Sequence, residues 1–231
     1  MVHSHLPDLS AYFVSLAKAC ELKPKMGGDL WLALEAAYEN PPRAYHNINH
    51  AVACAMMAES YRLPPIAAMA LLYHDAHYVA GSSINEAESV ELLREHFSDW
   101  KDHFTKEVPL PHPTGPSPLD RIASLVMATK HDKLPDVPLE AWVMDIDMSI
   151  LGSEPQVFAT YDKAIRTEYG FLSDEAFEEG RTMFLMKLQL QEHLFFSPLL
   201  RDRFERQARD NIAWRLGRAK REALERERDR A

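Results

Sequence analysis

Apolar residues recur along most of this chain at intervals of three and four, the spacing that lines one face of an α-helix, and not at the alternation of a strand. The pattern predicts a first helix over Leu9–Leu22 and a second over about Leu30–Tyr38, capped by Asp29 and stopped by Asn40-Pro41-Pro42. A third runs from about Asn49 to Tyr61. Pro64-Pro65 suits the start of a fourth, Ile66–Tyr78, which is apolar on every face and therefore reads as the buried central helix. Ser83 or Asn85 caps a fifth, predicted to run to about Phe104. Five prolines between Lys106 and Pro118 make that stretch a loop. Further helices are expected over Leu119–Lys130, Leu139–Leu151, Pro155–Tyr169 and Asp174–Phe196. The last, Arg201–Arg230, is long and charged, with a thin apolar stripe of Phe204, Ala208, Ile212, Leu216 and Ala219. The fold class read from this pattern is all-α, with a long C-terminal helix and no internal repeat.

Composition narrows the picture. At 231 residues and 46% hydrophobic, the chain can bury a sizeable core. Its two cysteines, Cys20 and Cys54, make no disulfide framework and suit a reducing cytoplasm. The opening MVHSHLPDLS lacks the basic and apolar regions of a secretion signal, and no run approaches the roughly 18 apolar residues of a membrane span. The net charge of −9 argues against nucleic acid as a partner, because such affinity comes largely from neutralising phosphates. The charge is uneven: residues 201–231 carry +4 and the remainder −13. The final helix is read as a solvated or oligomer-facing arm, which leaves self-association open.

Three segments set ionisable residues where they can do chemistry. Tyr45-His46-Asn47-Ile48-Asn49-His50 holds two histidines four apart, on one face if helical. Such a pair grips a transition metal or flanks a phosphate, and equally is an ordinary helix start with two half-exposed rings. His74-Asp75 ends the apolar fourth helix, where an ionised pair is costly unless it binds a cation or reaches the surface. Asp145-Ile146-Asp147 interrupts another apolar run. Residues two apart on a helix diverge, so one carboxylate would face a metal and the other orient a ligand histidine.

Taken in order, His, His-Asp and Asp resemble the metal-ligand pattern of the HD superfamily. Tyr45-His46-Asn47-x-x-His50-Ala51 is similar to the helix-start motif of its cyclic-nucleotide phosphodiesterases. The whole pattern resembles the group called predicted metal-dependent HD phosphohydrolases. The strings that carry it are Arg43-x-Tyr45-His46-Asn47-x-x-His50, His74-Asp75, Asn85-Glu86-x-x-Ser89, Asp145-x-Asp147-x-Ser149-Ile150-Leu151-Gly152 and Ile165-Arg166-x-Glu168-Tyr169, within residues 28–200. The resemblance implies an HD-domain helical bundle over residues 1–200, followed by a charged helix over 201–231. It implies His50, His74, Asp75 and Asp147 as metal ligands, with Asp147 preferred to Asp145 as the second Asp of the pair. It implies His46 as the acid that protonates the leaving oxygen, and Asp75 as both ligand and water-steering group. The phosphodiesterases carry a histidine four residues after the His of His-Asp, where this chain has Tyr78, and they lack the Asn85-Glu86 element. Cyclic-nucleotide specificity therefore does not carry over.

The expected activity is metal-dependent hydrolysis of a phosphate ester or anhydride in a small phosphorylated metabolite, a nucleotide above others. The expected cofactor is a divalent transition metal (Mn, Co, Ni, Fe or Zn), with Mg less favoured by two imidazoles. Arg43, Arg166 and Arg181, with Lys130 beside them, are candidate phosphate donors, although helical arginines are commonly surface ion pairs. Glu86 and His131 are further substrate-side candidates, and His77 lines the pocket or holds a second metal. His3, His5, His96, His103, His112 and His193 read as surface or packing residues, and Met183, Phe184, Met186, Phe195 and Phe196 as packing. Two rivals remain: an HD-type di-iron oxygenase, which would recruit His96 and His131, and a nucleotide-binding module without catalysis.

Overall fold

A computed structural model describes residues 8–25, 27–99 and 115–230. The fold is all-α with a long C-terminal helix, and the chain divides into two compact units, Met1–Leu134 and Pro135–Ala231. No helix among the described residues is long and apolar enough to cross a membrane.

The first unit contains α1 (Leu9–Ala19), β1 (Leu22–Pro24), α2 (Leu30–Glu39), α3 (Ile48–Ser60), α4 (Pro65–Tyr73), α5 (Asn85–His96), β2 (Phe97–Asp99) and α6 (Pro118–Ala128). Helix α4 is its axis. Every residue from Ile66 to Tyr73 is buried, and α1, α3, α5 and α6 pack around it. A helix that is apolar all round has no solvent face, which is why it takes the centre. Phe13, Trp31, Tyr73 and Phe97 close one end, with Phe13 centred 5.8 Å from Trp31 and 5.9 Å from Phe97.

Helix α4 stops at Tyr73, five residues before the predicted Tyr78. Three of its terminal carbonyls, which a helix end leaves unpaired, find partners that reverse the chain. Leu71 O accepts from His74 Nδ1 at 2.8 Å, Leu72 O from the Tyr38 hydroxyl at 3.0 Å, and Tyr73 O from Ala76 N–H at 3.0 Å. The fifth helix also differs from expectation. It ends at His96, and Phe97–Asp99 pairs antiparallel with Leu22–Pro24, a two-stranded ribbon that the helical pattern concealed. Its predicted continuation past 99 and most of the proline-rich loop lie outside the described residues. Neither expected cap serves the fifth helix: Ile84 precedes it without a side-chain cap. Asn85 is buried and instead bonds both Val79 N–H, 3.0 Å, and Val79 O, 3.1 Å. Ser89, one turn on, bonds His77 N–H and O in the same way, at 3.0 and 3.2 Å.

Tyr73 and His96 form a buried polar pair inside this core, the Tyr73 hydroxyl and His96 Nδ1 sharing a hydrogen bond at 2.7 Å. Burial pushes the Tyr73 phenol well above its ordinary pKa, so it keeps its proton, and burial lowers the His96 pKa against a smaller opposing pull from Glu95. An unfolded His96 therefore takes up a proton at a pH where the folded one does not. The contribution of His96 to stability should be constant above pH 6.5, the unperturbed histidine value, and should fall as pH drops below it toward the lowered folded value. Urea unfolding at pH 7.5 and 5.5 should show this loss in the wild type and a smaller one in His96→Gln.

The second unit contains α7 (Pro138–Asp147), a 3-10 turn (Met148–Gly152), α8 (Pro155–Glu168), α9 (Asp174–Gln189) and α10 (Pro198–Arg230). The helix predicted over Asp174–Phe196 ends at Gln189 with Leu190 as its C-cap, and the main-chain N–H groups of residues 194–197 bond side chains instead of continuing it. Glu205 accepts from Leu194 and Phe195 N–H, and Asp145 from Phe196 and Ser197 N–H. The 3-10 turn lies against α10. A Cβ on Gly152 would stand 2.6 Å from Phe204 Cβ and 2.7 Å from Phe204 O, both closer than atoms can pack. Gly152→Ala should cost about 1–3 kcal/mol, read as a lower urea midpoint with an unchanged slope. Of the residues assigned to packing, Phe195 is buried, whereas Met183 and Met186 are more than half exposed and Phe184 is exposed. They sit on the outer face of α9.

Candidate metal centre

Three donors from two elements of the first unit converge. His50 lies in the first turn of α3, which Asn47 caps by accepting from Asn49 N–H at 3.0 Å and His50 N–H at 3.4 Å. The Asn of the Tyr-His-Asn string thus sets the register that presents His50. His74 and Asp75 occupy the turn that ends α4. His74 Nε2 lies 3.2 Å from His50 Nε2 and 3.0 Å from Asp75 Oδ2, and His50 Nε2 lies 3.8 Å from the same oxygen.

The tautomer of His74 follows from its partner. Its Nδ1–H donates to Leu71 O, so Nε2 carries the lone pair, and that lone pair faces His50 and Asp75. Two ring nitrogens at this separation need a proton or a cation between them. The carboxylate of Asp75, 12% exposed, needs positive charge beside it. Donors sharing a transition metal with bonds of about 2.0–2.2 Å stand about 3–4 Å apart, the range these three occupy. Imidazole nitrogen and carboxylate oxygen suit Zn, Fe, Co, Ni and Mn. His50, His74 and Asp75 therefore fit a metal ion.

The surroundings separate the other candidates. The His46 ring stacks on Tyr78 at 4.1 Å, meets Tyr45 edge-on at 4.9 Å and is centred 6.1 Å from the His50 ring. Cys54, one turn beyond His50, places its buried thiol 3.7 Å from His50 Nδ1, a neighbour signalled in the sequence only by the i, i+4 spacing. Arg43 directs its guanidinium to main-chain carbonyls. His77 lines a cavity of about 280 Å³ together with Glu88, Glu91 and Glu95, whose carboxylates disfavour a phosphate there. Glu86, half-buried in the first turn of α5, and His131, half-buried after α6 with φ +54°, stand outside the His50–His74–Asp75 group. Lys130 pairs with Asp132 at 3.5 Å. A larger, mainly apolar cavity of about 980 Å³ opens among α1, β1 and α2, and none of the three donors lines it.

The remaining candidates belong to the second unit. Asp147 closes α7 and is half-buried. Asp145 is almost wholly buried and caps α10, accepting from Phe196 N–H at 2.8 Å and from Ser197 N–H and Oγ–H at 2.6 and 2.5 Å. Burial raises its pKa, against the downward pull of those donors. That capping is a different task from orienting a ligand histidine. Arg166 pairs with Asp174 at 2.7 Å and donates to Tyr169 O and Leu172 O. Arg181 pairs with buried Asp162 at 3.0 Å. Compared with protein-family models, curated proteins and solved structures, the chain has no match in any of the three.

Proposed function

We propose that this chain is a metal-dependent phosphohydrolase that cleaves a phosphate ester or anhydride in a small phosphorylated metabolite, with a nucleotide the first class to test. The convergence of His50 Nε2, His74 Nε2 and Asp75 Oδ2 within 3.0–3.8 Å carries the reading. When bound, a divalent cation there supplies electrophilic catalysis: it polarises a phosphoryl oxygen and acidifies water. The chain does the rest. His74 is held in one tautomer by Leu71 O, and Asp75 is held at the end of a rigid buried helix. His46, stacked on Tyr78 and edge-on to Tyr45 next to His50, is the acid that donates a proton to the leaving oxygen. The resemblance adds Asp147 as a further ligand.

The di-iron oxygenase reading draws no support from His96, whose Nδ1 is taken by Tyr73. The test is phosphate release from a panel of phosphorylated metabolites by protein stripped of metal and resupplied with Mn, Co, Ni, Zn, Fe or Mg. Asp147→Asn runs beside the wild type, with metal content measured for each. Metal-dependent release supports the reading, and the preferred substrate names the class. Tight metal binding with silence across the panel would sink it and turn attention to whether two irons bind.

A further inference from the structure

We infer that Arg43, one of the arginines expected to bind substrate phosphate, is the positioning residue of the metal centre: it fixes the ligand-bearing turn, and its loss reads out as weakened metal binding. The inference rests on the metal-centre reading above.

The guanidinium has four N–H bonds on its two terminal nitrogens, and four carbonyl oxygens match them. Nη1 donates to His46 O at 3.1 Å and to Asp75 O, and Nη2 to Ala37 O at 2.9 Å and Ala76 O at 3.1 Å. These carbonyls come from three separate places: α2, the segment entering α3, and the turn after α4. One planar group thereby ties the backbone of metal ligand Asp75 to the backbone of His46. The guanidinium also lies over two aromatic rings. Its carbon lies 5.1 Å from the Tyr38 ring centre and 5.8 Å from that of Tyr78, within the range of cation–π attraction. Tyr38 in turn donates to Leu72 O at the end of α4, and Tyr78 stacks on His46. The same cation therefore braces the helix end that carries His74 and Asp75 and the aromatic stack that carries His46.

Two features argue against phosphate as the partner. The acceptors are neutral carbonyls fixed by the fold, and binding a phosphate would break the bonds to them. The cavity that Arg43 itself lines also presents Glu88, Glu91 and Glu95, three carboxylates against its one guanidinium, which disfavour an anion there. A lysine keeps the charge but presents three donors from one atom and cannot reproduce the planar fork.

The experiment is cobalt(II) titration of wild type, Arg43→Lys and Arg43→Ala, following visible ligand-field absorption at a temperature where far-ultraviolet dichroism shows native helix. Removing a group that orients metal ligands typically costs about 10–100-fold in metal affinity, and that loss is expected in both variants. Methylguanidinium added to Arg43→Ala should restore part of it. Unchanged cobalt affinity in Arg43→Lys, with a raised KM for phosphate substrates, would overturn the inference and return Arg43 to the substrate. Loss of native helix in Arg43→Lys would also overturn it, since the residue would then serve the fold as a whole. A wild type that takes up no cobalt is a different failure, that of the metal-centre reading itself.

Discussion

Asp75→Ala is expected to leave a folded chain that holds no metal and shows no metal-dependent phosphate release above background. Asp75 lies just past α4, in the turn already fixed by Tyr38, His74 and Arg43 through main-chain oxygens, none of which involves the Asp75 carboxylate. These main-chain bonds remain when its side chain is removed. The carboxylate is the one anionic donor among the three, at 3.0 and 3.8 Å from the two imidazoles. Without it, the site is two neutral nitrogens in a buried setting, where the charge of a divalent ion is uncompensated. His46→Gln makes the informative contrast. It should keep full metal content and lose about 10²–10⁴-fold in kcat, the usual contribution of a positioned acid. Metal content by atomic emission, run on both variants with the activity assay, separates the two roles. Full metal content in Asp75→Ala would remove Asp75 from the ligand set.

The candidate ligands were legible in the sequence where their signal was local. A His-Asp pair closing an apolar helix and a histidine one turn from another stand out because charge is rare in such runs, and the structure places His50, His74 and Asp75 together. What was not legible depends on residues far apart in the chain. The fourth helix had the composition to continue to Tyr78, and it stops because Tyr38 and Arg43, some thirty residues earlier, supply donors to its end and to the turn beyond. The fifth helix stops where Phe97 meets Pro24, a pairing no local periodicity announces. The strings that resemble a known group include residues with tasks in the fold. Asn47 caps α3, Asn85 and Ser89 staple residues 77–79, Asp145 caps α10, and Gly152 admits Phe204. A motif read only as chemistry hides how much of it holds the chemistry in place. Arginines are the hardest to read, because the sequence shows a cation and not its acceptor: Arg43 meets carbonyls, Arg166 Asp174, and Arg181 Asp162.

That last partner makes Asp162→Ala the substitution with the largest expected cost in stability. Asp162 is 3% exposed, and its two oxygens receive Arg181 Nε at 3.0 Å and Arg215 Nε at 2.6 Å. Arg215, 1% exposed, also gives Nη2 to Glu178 at 2.6 Å. Burial works against both guanidinium charges, and their partners outweigh it, Tyr161 and Asp162 at Arg181 and Glu178 and Asp162 at Arg215, so both arginines hold their protons more tightly than in water. Removing Asp162 takes from two buried cations the carboxylate they share, leaving Glu178 on Arg215 and the Tyr161 side chain on Arg181. Breaking a buried ion pair from one side typically costs about 3–5 kcal/mol. Much of that is the penalty of the stranded charge and not the worth of the pair. Hence the sharper expectation concerns the double variant: adding Arg181→Met to Asp162→Ala should recover part of the loss, because it removes one stranded cation. The wild type, both single variants and the double, compared by urea unfolding, form the cycle that measures this. A double variant as unstable as the sum of the two singles would show that the arginines are held by packing and not by Asp162. The network links α8, α9 and α10 of the second unit, so the loss should appear first as faster amide exchange in those three helices, with α4 in the first unit least affected.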